Sequence, residues 1–352
     1  MTLGRGWTGG LNFRPAREVD VIYGHGLVKN ESANWPRYLA VTTPTAWKTT
    51  EPYLSQKPAG VSTVSMLDWD HLDNASNVLP DDAEMVVGIG GGTALDASKY
   101  IALKKDLPLR LVPTAVSTGA IIHGIFAKWE GHAIVADSEF WPYCDFEHVL
   151  VDYDLILEAP WYLNTAGIGD VLCMYSGISE WRNQAGVGDT PIVDQELIRP
   201  TLEYYRDLSL QFPKTLDSQG KLTAESVGLI MKSIHERDDR QLASPFASGA
   251  GHSLTQVLEE VLHTGLIHGE VAALGGVAVC WAANEYEELV GFLEKCKVRY
   301  RPSDMGLEKD QLRDVFDYAK DFYPRRGMDT ILAREPLTGS RFEDFWKFIQ
   351  SI

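Results

Sequence analysis

The stretch Val86-Val87-Gly88-Ile89-Gly90-Gly91-Gly92-Thr93-Ala94-Leu95-Asp96-Ala97-Ser98-Lys99 predicts a buried strand, a tight turn and a helix in succession. The apolar run Met85–Ile89 is short and ends at glycine, as expected of a strand covered on both faces. Glycine at positions 90, 91 and 92 permits positive φ and lets an anion approach the backbone. The amide groups at the start of the helix would face that anion.

This turn matches neither the G-x-G-x-x-G fingerprint nor the G-x-x-x-x-G-K-[ST] loop. A strand–helix turn that binds nothing is the competing interpretation. We favour the anion-binding interpretation because a strand precedes the glycines and a helix follows them. Thr93 is expected at the helix N-cap, with Asp96 as its partner in a pair that resembles a capping box.

Other short apolar runs precede and follow this turn and predict further strands. Helical segments separate these runs, a pattern typical of parallel strands. We therefore predict a doubly wound, Rossmann-like α/β domain over residues 1–158. The further predicted strands are Glu18–Tyr23, Arg37–Thr42, Val61–Leu67 and Leu109–Val112.

The pattern changes after about Asp154, where strand alternation gives way to helical periodicity. A break at Ala159-Pro160 separates the two parts, and an all-helical domain is predicted over residues 159–352. The longest apolar run, near Val271–Ala283, is too short to span a bilayer and is interpreted as a buried helix. The other predicted helical segments are Ile168–Trp181, Val193–Leu208, Ala224–Ile234 and Gln311–Phe322.

Composition indicates a globular protein with about two domains. The 352 residues include 32 Lys and Arg against 49 Asp and Glu, a net charge of −17, so no nucleic-acid partner is expected. No apolar signal segment occurs in the first 15 residues. The cysteines fit no zinc pattern, and we expect buried, reduced thiols in a cytoplasmic protein. They are Cys144, Cys173, Cys280 and Cys296.

Three polar residues stand beside glycines in the second half: Asp170 in Gly-Ile-Gly-Asp, His252 in Gly-Ala-Gly-His, and His268 in His-Gly-Glu. One carboxylate and two imidazoles suit a catalytic divalent metal and leave a position open. The glycines would permit close approach of helix ends, and the first two segments are expected to open helices. Sequence spacing alone does not bring the three together, and ordinary core or surface histidines are the alternative.

Taken in order, these motifs resemble the metal-dependent alcohol dehydrogenase superfamily over roughly residues 18 to 335. Members include glycerol dehydrogenase, sn-glycerol-1-phosphate dehydrogenase and, more distantly, 3-dehydroquinate synthase. The motifs are GGGTALDASK, Pro113-Thr114 with Ser117-Thr118-Gly119, GIGD, GAGHS and HGE. Three segments resemble the glycerol-1-phosphate branch most: Asp170 with Tyr175 and Glu180-Trp181-Arg182, Ser244–Gly249 before His252, and Arg326 with Thr330-Ile331-Leu332.

The resemblance implies a dehydroquinate synthase-like fold, a nicotinamide cofactor and a metal ion. NAD or NADP would contact a set in the first domain: Gly90, Gly91, Gly92, Asp96, Lys99, Thr114 and Thr118. Asp170, His252 and His268 would hold the metal, which lowers the pKa of a substrate hydroxyl while hydride passes to the nicotinamide. Iron-dependent members have a histidine four residues after the aspartate, where this chain has Met174, so we favour Zn²⁺ over Fe²⁺.

The substrate-binding positions depart from those of the family. Gly119 replaces the aspartate of glycerol-type members, and Thr118-Gly119-Ala120 replaces the His-Asp-Gly of glycerol-phosphate members. Thr42-Thr43-Pro44 after the second strand offers no carboxylate, so a 2′-phosphate is not excluded. Lys128 and Arg326 are candidates for binding a substrate phosphate.

Two further histidines are candidates near the reaction. His123 could relay a proton, and His263, which lies between the two proposed histidine ligands, could support the metal site. Core or surface positions are the alternative for both. A homo-oligomer is expected from the family.

We therefore predict an NAD(P)-dependent, metal-dependent dehydrogenase of a small polyol or polyol phosphate. The alternative is a dehydroquinate synthase-like lyase or cyclase that uses NAD transiently. The sequence Leu95-Asp96-Ala97-Ser98-Lys99, instead of the G-G-G-x-x-G-D turn of that synthase, favours the dehydrogenase. A binding protein that has lost the metal site is a third hypothesis, which the intact Asp170, His252 and His268 oppose.

Overall fold

The computed structural model describes residues 20–135, 142–188, 190–240 and 249–352, with the side chains of 238–240 left out. The first two residues of the strand predicted from Glu18, and residues 244–248 of the Ser244–Gly249 element, lie outside these ranges. The described chain divides into two compact units. One comprises residues 20–164 with 222–227, and the other comprises 165–221 with 228–352. The domain division after residue 158 stays a prediction.

The first unit is built on a parallel sheet, as predicted. Its strands are β1 (Asp20–Gly24), β2 (Tyr38–Thr42), β3 (Gly60–Thr63), β4 (Met85–Gly90) and β5 (Leu109–Pro113), then a small antiparallel hairpin of β6 (Trp129–Glu130) and β7 (Ala133–Ile134), and finally β8 (His148–Asp152). The six-stranded sheet has the order β1-β8-β5-β4-β2-β3, with every pair parallel. β8 was not predicted from sequence, although it lies between β1 and β5.

Local signals explain the helices around this sheet. Pro44 occupies the first turn of its helix, and the N–H of Ala46 donates to the Thr43 side chain. Asp68 caps the next helix by accepting from the N–H of His71. The third strand ends at Thr63, before this cap, and not at Leu67 as predicted. These helices are α1 (Leu27–Ser32), α2 (Pro44–Thr50), α3 (Trp69–Asn77), α4 (Gly92–Lys105) and α5 (Tyr153–Ile156).

The remaining helices follow one another along the rest of the chain. They are α6 (Trp161–Leu172), α7 (Met174–Gln184), α8 (Gln195–Gln211), α9 (Ala224–Arg240), α10 (Gly249–Leu262), α11 (His268–Ala282), α12 (Tyr286–Lys295), α13 (Lys309–Arg325), α14 (Ile331–Arg334) and α15 (Gly339–Ser351). The predicted change from an α/β part to a helical part is thus confirmed. Helix α11 is almost completely buried, as predicted for the apolar run. In the described part of the chain, every helix is too short or too polar to cross a bilayer.

Two expectations about helix ends are wrong. The predicted helix Ile168–Trp181 is two helices, which meet at Cys173. Gly-Ile-Gly-Asp does not open a helix, because α6 begins directly after Pro160, whose ring fits only at a helix start. Asp170 therefore lies in the last turn of α6. All four cysteines are buried, as expected.

Candidate active site

Asp170, His252 and His268 come together within the second unit. The Oδ1 atom of Asp170 lies 3.4 Å from His252 Nε2 and 3.3 Å from His268 Nε2. The two Nε2 atoms are 3.0 Å apart. In the part of the chain that the structure describes, this is the one group of three such residues able to hold a metal ion.

Backbone packing at glycines brings together the three helices that carry Asp170, His252 and His268. A Cβ atom on Gly269, next to His268, would lie 1.8 Å from the carbonyl oxygen of Ala166. A Cβ atom on Gly169, next to Asp170, would lie 2.4 Å from the carbonyl oxygen of Gly269. Side chains at these positions would separate α6 from α11, so the two glycines set the distance between Asp170 and His268.

The α10–α11 contact uses the same principle. A Cβ atom on Gly275 would lie 2.0 Å from the carbonyl oxygen of Gly251, which directly precedes His252. The predicted role of the flanking glycines, close approach of helices around a small ion, agrees with this packing.

Charge and burial prepare the cluster for a cation. Burial would raise the pKa of Asp170, but the Arg237 guanidinium and His268 hold that pKa well below its ordinary value. Burial lowers the pKa of His252 to about 4, so its imidazole is neutral at neutral pH. An ionised carboxylate and a neutral imidazole are the protonation states that metal binding requires.

One atom of the cluster has no hydrogen-bond partner. Asp170 is 1% exposed, yet its Oδ1 atom accepts no hydrogen bond of acceptable geometry. Leaving a buried acceptor unsatisfied costs about 1–3 kcal/mol. A cation among Oδ1 and the two Nε2 atoms would remove that cost, so the three residues fit a divalent metal.

Arg237 belongs to this cluster and was missed from sequence. Its Nη1 atom donates to Asp170 Oδ2 at 3.2 Å, and its Nη2 atom lies 3.4 Å from His252 Nε2. The charged run His235-Glu236-Arg237-Asp238-Asp239 resembles a solvated helix face. One signal was present: Arg237 continues the buried stripe of α9 at helical spacing, after Val227, Ile230, Met231 and Ile234.

The glycine-rich turn connects β4 to α4 in the first unit. Gly90 has φ +147°, a conformation that only glycine adopts readily. Gly91 is the N-cap, and no side chain caps α4. The expectation for Thr93 is wrong, since the sharp turn at Gly90 lets the helix begin at Gly92 and puts Thr93 inside it. Asp96 accepts from Lys99 and closes no capping box.

Packing explains part of the glycine triplet. A Cβ atom on Gly90 would lie 2.7 Å from the Ala94 Cβ, and one on Gly92 would lie 2.9 Å from the Thr118 Cγ2. Space beside Gly91 is open, because the nearest atom to a Cβ there is the Ser117 Oγ at 3.9 Å. An uncapped helix start beside an open glycine is a fit for a phosphate group.

The other predicted cofactor residues surround this turn. Thr114 N–H donates to the Gly90 carbonyl at 3.0 Å. Lys99 is fully buried, and its Nζ atom donates to Asp96 Oδ1 and to the Ala120 carbonyl, both at 2.8 Å. This pair therefore holds the loop that carries Thr118 against α4, and direct contact of Asp96 or Lys99 with a cofactor stays a prediction.

The predicted phosphate-binding cations already have carboxylate partners. Lys128 pairs with Glu130 at 3.2 Å and lies over the Trp69 ring. Arg326 pairs with Glu260 at 3.3 Å. Binding a substrate phosphate would compete with these ion pairs, and both roles stay predictions.

The two extra histidines lie at chain turns. His123 is partly buried just after the turn at Gly119–Ile121, and its N–H donates to the Gly119 carbonyl. His263 is exposed, directly follows α10 and has φ +51°. Neither is part of the three-residue cluster, and a catalytic role for either stays a prediction.

Known proteins share sequence similarity with this chain over most of its length. The sequence profile of a family described as iron-containing alcohol dehydrogenase matches residues 48–160. The glycerol-1-phosphate dehydrogenase [NAD(P)+] of Nitrosopumilus maritimus (strain SCM1) is 26% identical over 285 residues, which cover 77% of this chain and 74% of the relative. The chain is similar to iron-containing alcohol dehydrogenases over part of its first unit and to a glycerol-1-phosphate dehydrogenase over most of its length. The predicted resemblance to this superfamily is thereby confirmed.

Solved structures of a probable glycerol dehydrogenase and of a reductase have the same fold as this chain. A probable glycerol dehydrogenase from Sinorhizobium meliloti 1021 matches with a TM-score of 0.64 at 20% identity, covering 95% of this chain and 98% of that one. Sulfoacetaldehyde reductase from Bifidobacterium kashiwanohense, solved in complex with NAD+, matches with a TM-score of 0.55 at 17% identity, covering 95% and 97%. These likenesses confirm the predicted fold class.

Proposed function

We propose that this protein is an NAD(P)-dependent, metal-dependent dehydrogenase of a small polyol or polyol phosphate. The observation that carries the proposal is the cluster of Asp170 Oδ1, His252 Nε2 and His268 Nε2, whose atoms lie 3.0–3.4 Å apart around a buried, unsatisfied acceptor. The names of its relatives, glycerol-1-phosphate dehydrogenase and glycerol dehydrogenase, support the substrate class.

Zn²⁺ is the proposed metal, held by these three residues. A bound zinc ion would polarise the hydroxyl group of the substrate and lower its pKa. The position that carries an additional histidine in iron-dependent members is Met174, the first residue of α7, which is 4% exposed. A thioether is a poor ligand for Fe²⁺ beside carboxylate and imidazole, and this supports zinc.

The protein side chains would prepare the site in distinct ways. Arg237 holds the Oδ2 atom of Asp170, which leaves Oδ1 oriented toward the imidazoles. His252 is neutral at neutral pH because burial lowers its pKa to about 4. The side chain of His268 is 39% exposed, so the cluster is open on its side.

The glycine turn would bind the pyrophosphate of the nicotinamide cofactor. Its uncapped helix start and the open space beside Gly91 support this role. Strand β2 ends at Thr42, and the following Thr43 caps α2. No carboxylate follows β2 to repel a 2′-phosphate, so we expect binding of both NAD and NADP.

Metal analysis and cofactor reduction test this function together. The purified protein is expected to contain about one equivalent of zinc per chain, measured by mass spectrometry of the metal. With glycerol or glycerol 1-phosphate, it should accumulate NADH or NADPH, followed by absorbance. Chelation should abolish the activity, and zinc should restore it.

A matched pair of variants localises the effect. His252→Ala removes a proposed ligand, whereas His235→Ala removes an exposed histidine of α9. Loss of zinc and activity in the first variant only is the expected result. A metal-free protein with full activity would refute the proposal.

The same assay separates the alternative chemistry. A synthase-like cyclase that uses NAD transiently would return the cofactor to its starting state and accumulate no NADH. The homo-oligomer expected from the family also remains a proposal, which light scattering of the purified protein tests.

A further inference from the structure

We propose that Glu180 and Tyr323 position His252 for the metal by holding the peptide groups of Ala250, two residues before that proposed ligand. These two buried side chains would thereby set the affinity of the cluster for a divalent ion, although neither is a proposed ligand. This inference rests on the proposed metal-dependent function and adds two positioning residues to its site.

The first turn of α10 is held from two sides. The N–H group of Ala250 donates to Glu180 Oε2 at 3.0 Å, and the hydroxyl group of Tyr323 donates to the Ala250 carbonyl at 3.1 Å. Glu180 lies in α7 and Tyr323 lies in α13, and both side chains are fully buried. Helices α7 and α13 therefore fix the position of the turn that carries His252.

Gly249 makes room for this contact. Its φ is +61°, and a Cβ atom there would lie 2.3 Å from Glu180 Oε2. A side chain at this position would push the carboxylate away from the Ala250 N–H group. The first N–H groups of a helix have no acceptor within the helix, and the Glu180 carboxylate supplies one from another helix. The start of α10 is thus built around this carboxylate.

The second carboxylate oxygen connects the same point to α14. Glu180 Oε1 accepts from the N–H group of Ile331, the first residue of that helix, at 3.3 Å. The three segments that resemble the glycerol-1-phosphate branch therefore have members in contact at one side chain: Glu180 itself, Gly249 and Ile331. None of these residues belongs to the proposed ligand set, and a shared positioning role accounts for their association.

The distances within the cluster make such positioning important. Zinc bonds of about 2.0–2.1 Å at tetrahedral angles separate neighbouring ligand atoms by about 3.3 Å. The Oδ1 atom of Asp170 and the two Nε2 atoms lie 3.0–3.4 Å apart. These atoms are thus already placed for the ion, and a shift of His252 would require the cluster to reorganise on binding. We expect that cost to appear as a weaker affinity for zinc.

The zinc affinity of three variants, measured by competition with a chromophoric chelator, tests the inference. Glu180→Ala removes both acceptor oxygens, and its Kd for zinc should rise about 10-fold to 100-fold. Glu180→Gln keeps the shape and one acceptor oxygen, so its Kd should rise by a smaller factor of about 3-fold to 10-fold. Tyr323→Phe removes only the hydroxyl group and should raise the Kd about 3-fold.

Asp194→Ala is the matched control. The Asp194 side chain accepts from two N–H groups at the start of α8, those of Glu196 and Leu197, at 3.0 and 3.3 Å. Glu180 makes its two contacts at the same distances, but α8 carries no proposed ligand. The control should lower the midpoint of urea unfolding, because a helix cap is lost, and leave the Kd for zinc unchanged within about 2-fold.

Hydrogen exchange of the metal-free protein measures the effect on the turn without any ion. Loss of the acceptor for the Ala250 N–H group should let this turn open more often. Exchange in peptides that span residues 249–253, followed by mass spectrometry, should therefore accelerate about 10-fold in Glu180→Gln. It should stay unchanged in Asp194→Ala.

Distinct outcomes separate this inference from the proposed function. A zinc-binding wild type whose Glu180→Gln and Tyr323→Phe variants keep its Kd for zinc overturns the inference alone. So does an equal rise of the Kd in Asp194→Ala, since the effect would then follow from general destabilisation. A wild type that binds no zinc overturns the proposed function as well. If Glu180→Ala does not fold, the other two variants decide.

Discussion

The glycine turn and the cluster of Asp170, His252 and His268 are the two proposed binding sites, and different kinds of contact form them. Gly90, Gly91 and Gly92 are consecutive, and their geometry depends mainly on the strand and helix that they connect. The proposed ligands Asp170, His252 and His268 come from three helices, and their distances depend on how those helices pack. A local motif can therefore be read from sequence, whereas a cluster of distant residues depends on every contact between the elements that carry it.

Removal of a proposed metal ligand should have a larger effect on activity than any other substitution considered for the cluster or the glycine turn. Asp170→Asn keeps the shape of the side chain but removes the charge that attracts a divalent ion. We expect loss of bound zinc and a fall in kcat/KM of more than about 100-fold. Metal analysis and steady-state kinetics measure both quantities. Full zinc content in this variant would show that the cluster is not the metal site.

Substitution of a glycine at a helix contact beside the cluster should have the next largest effect. Gly269→Ala places a methyl group 1.8 Å from the Ala166 carbonyl oxygen, so α6 and α11 must separate. We expect destabilisation of about 3 kcal/mol or more and weaker zinc binding, measured by urea unfolding and metal titration.

Gly228→Ala is the control for that substitution. Gly228 lies inside α9, and a Cβ atom there would meet nothing within 4 Å. Alanine has the higher helix propensity, so this variant should gain up to about 1 kcal/mol of stability. Equal destabilisation by the two substitutions would contradict the packing argument.

A buried carboxylate makes the same region sensitive to pH. Glu180 is fully buried in α7 and accepts from the N–H groups of Ala250 and Ile331, so it holds the start of the helix that carries His252. Burial raises the pKa of the Glu180 carboxyl to about 7 from its ordinary value of 4.5. The folded state thus binds the proton more tightly than the unfolded state does.

The contribution of this proton to stability is therefore present below about pH 4.5 and is lost as the pH rises through about 7. It amounts to at most about 3 kcal/mol. Urea unfolding of the wild type and of Glu180→Gln is measured from roughly pH 5 to roughly pH 8, which spans the titration. The difference in unfolding free energy between the two proteins should change with pH. A constant difference would show that Glu180 does not titrate in this range.

The smallest effect is expected at the glycine turn. Gly91→Ala adds a methyl group to open space, so stability should fall by no more than about 1 kcal/mol. The methyl group would enter the space proposed for a phosphate, and the Kd for NAD or NADP should rise about 10-fold. Fluorescence titration and thermal unfolding measure the two effects. An unchanged Kd would support a purely structural turn.

The strands were predictable because each is a short apolar run bounded by glycine or proline. β8 was missed although His148–Asp152 has the same character, and its place between β1 and β5 follows from sheet pairing, which has no local signal. Thr93 was misplaced because the N-cap depends on the φ of Gly90. The predicted start of α6 was wrong because Pro160 precedes the first residue of the helix, whereas the glycines before Asp170 lie inside it.

The candidate site was only partly predictable. Its three proposed ligands were identified from motifs and resemblance, and their flanking glycines were correctly connected with close helix approach. Arg237 was not identified, because a charged run on a helix is usually solvated, and only packing reveals which of its members is buried.

Sequence alone determined the fold class, the glycine turn and the residue types able to hold a metal, because apolar periodicity, backbone freedom and ligand chemistry are properties of short segments. Tertiary structure alone decided that Asp170 and two imidazoles converge, that one carboxylate oxygen lacks a partner, and that an arginine contacts the other. Those features depend on helix distances set by glycine contacts between segments that are far apart along the chain, such as those of Gly169 and Gly269.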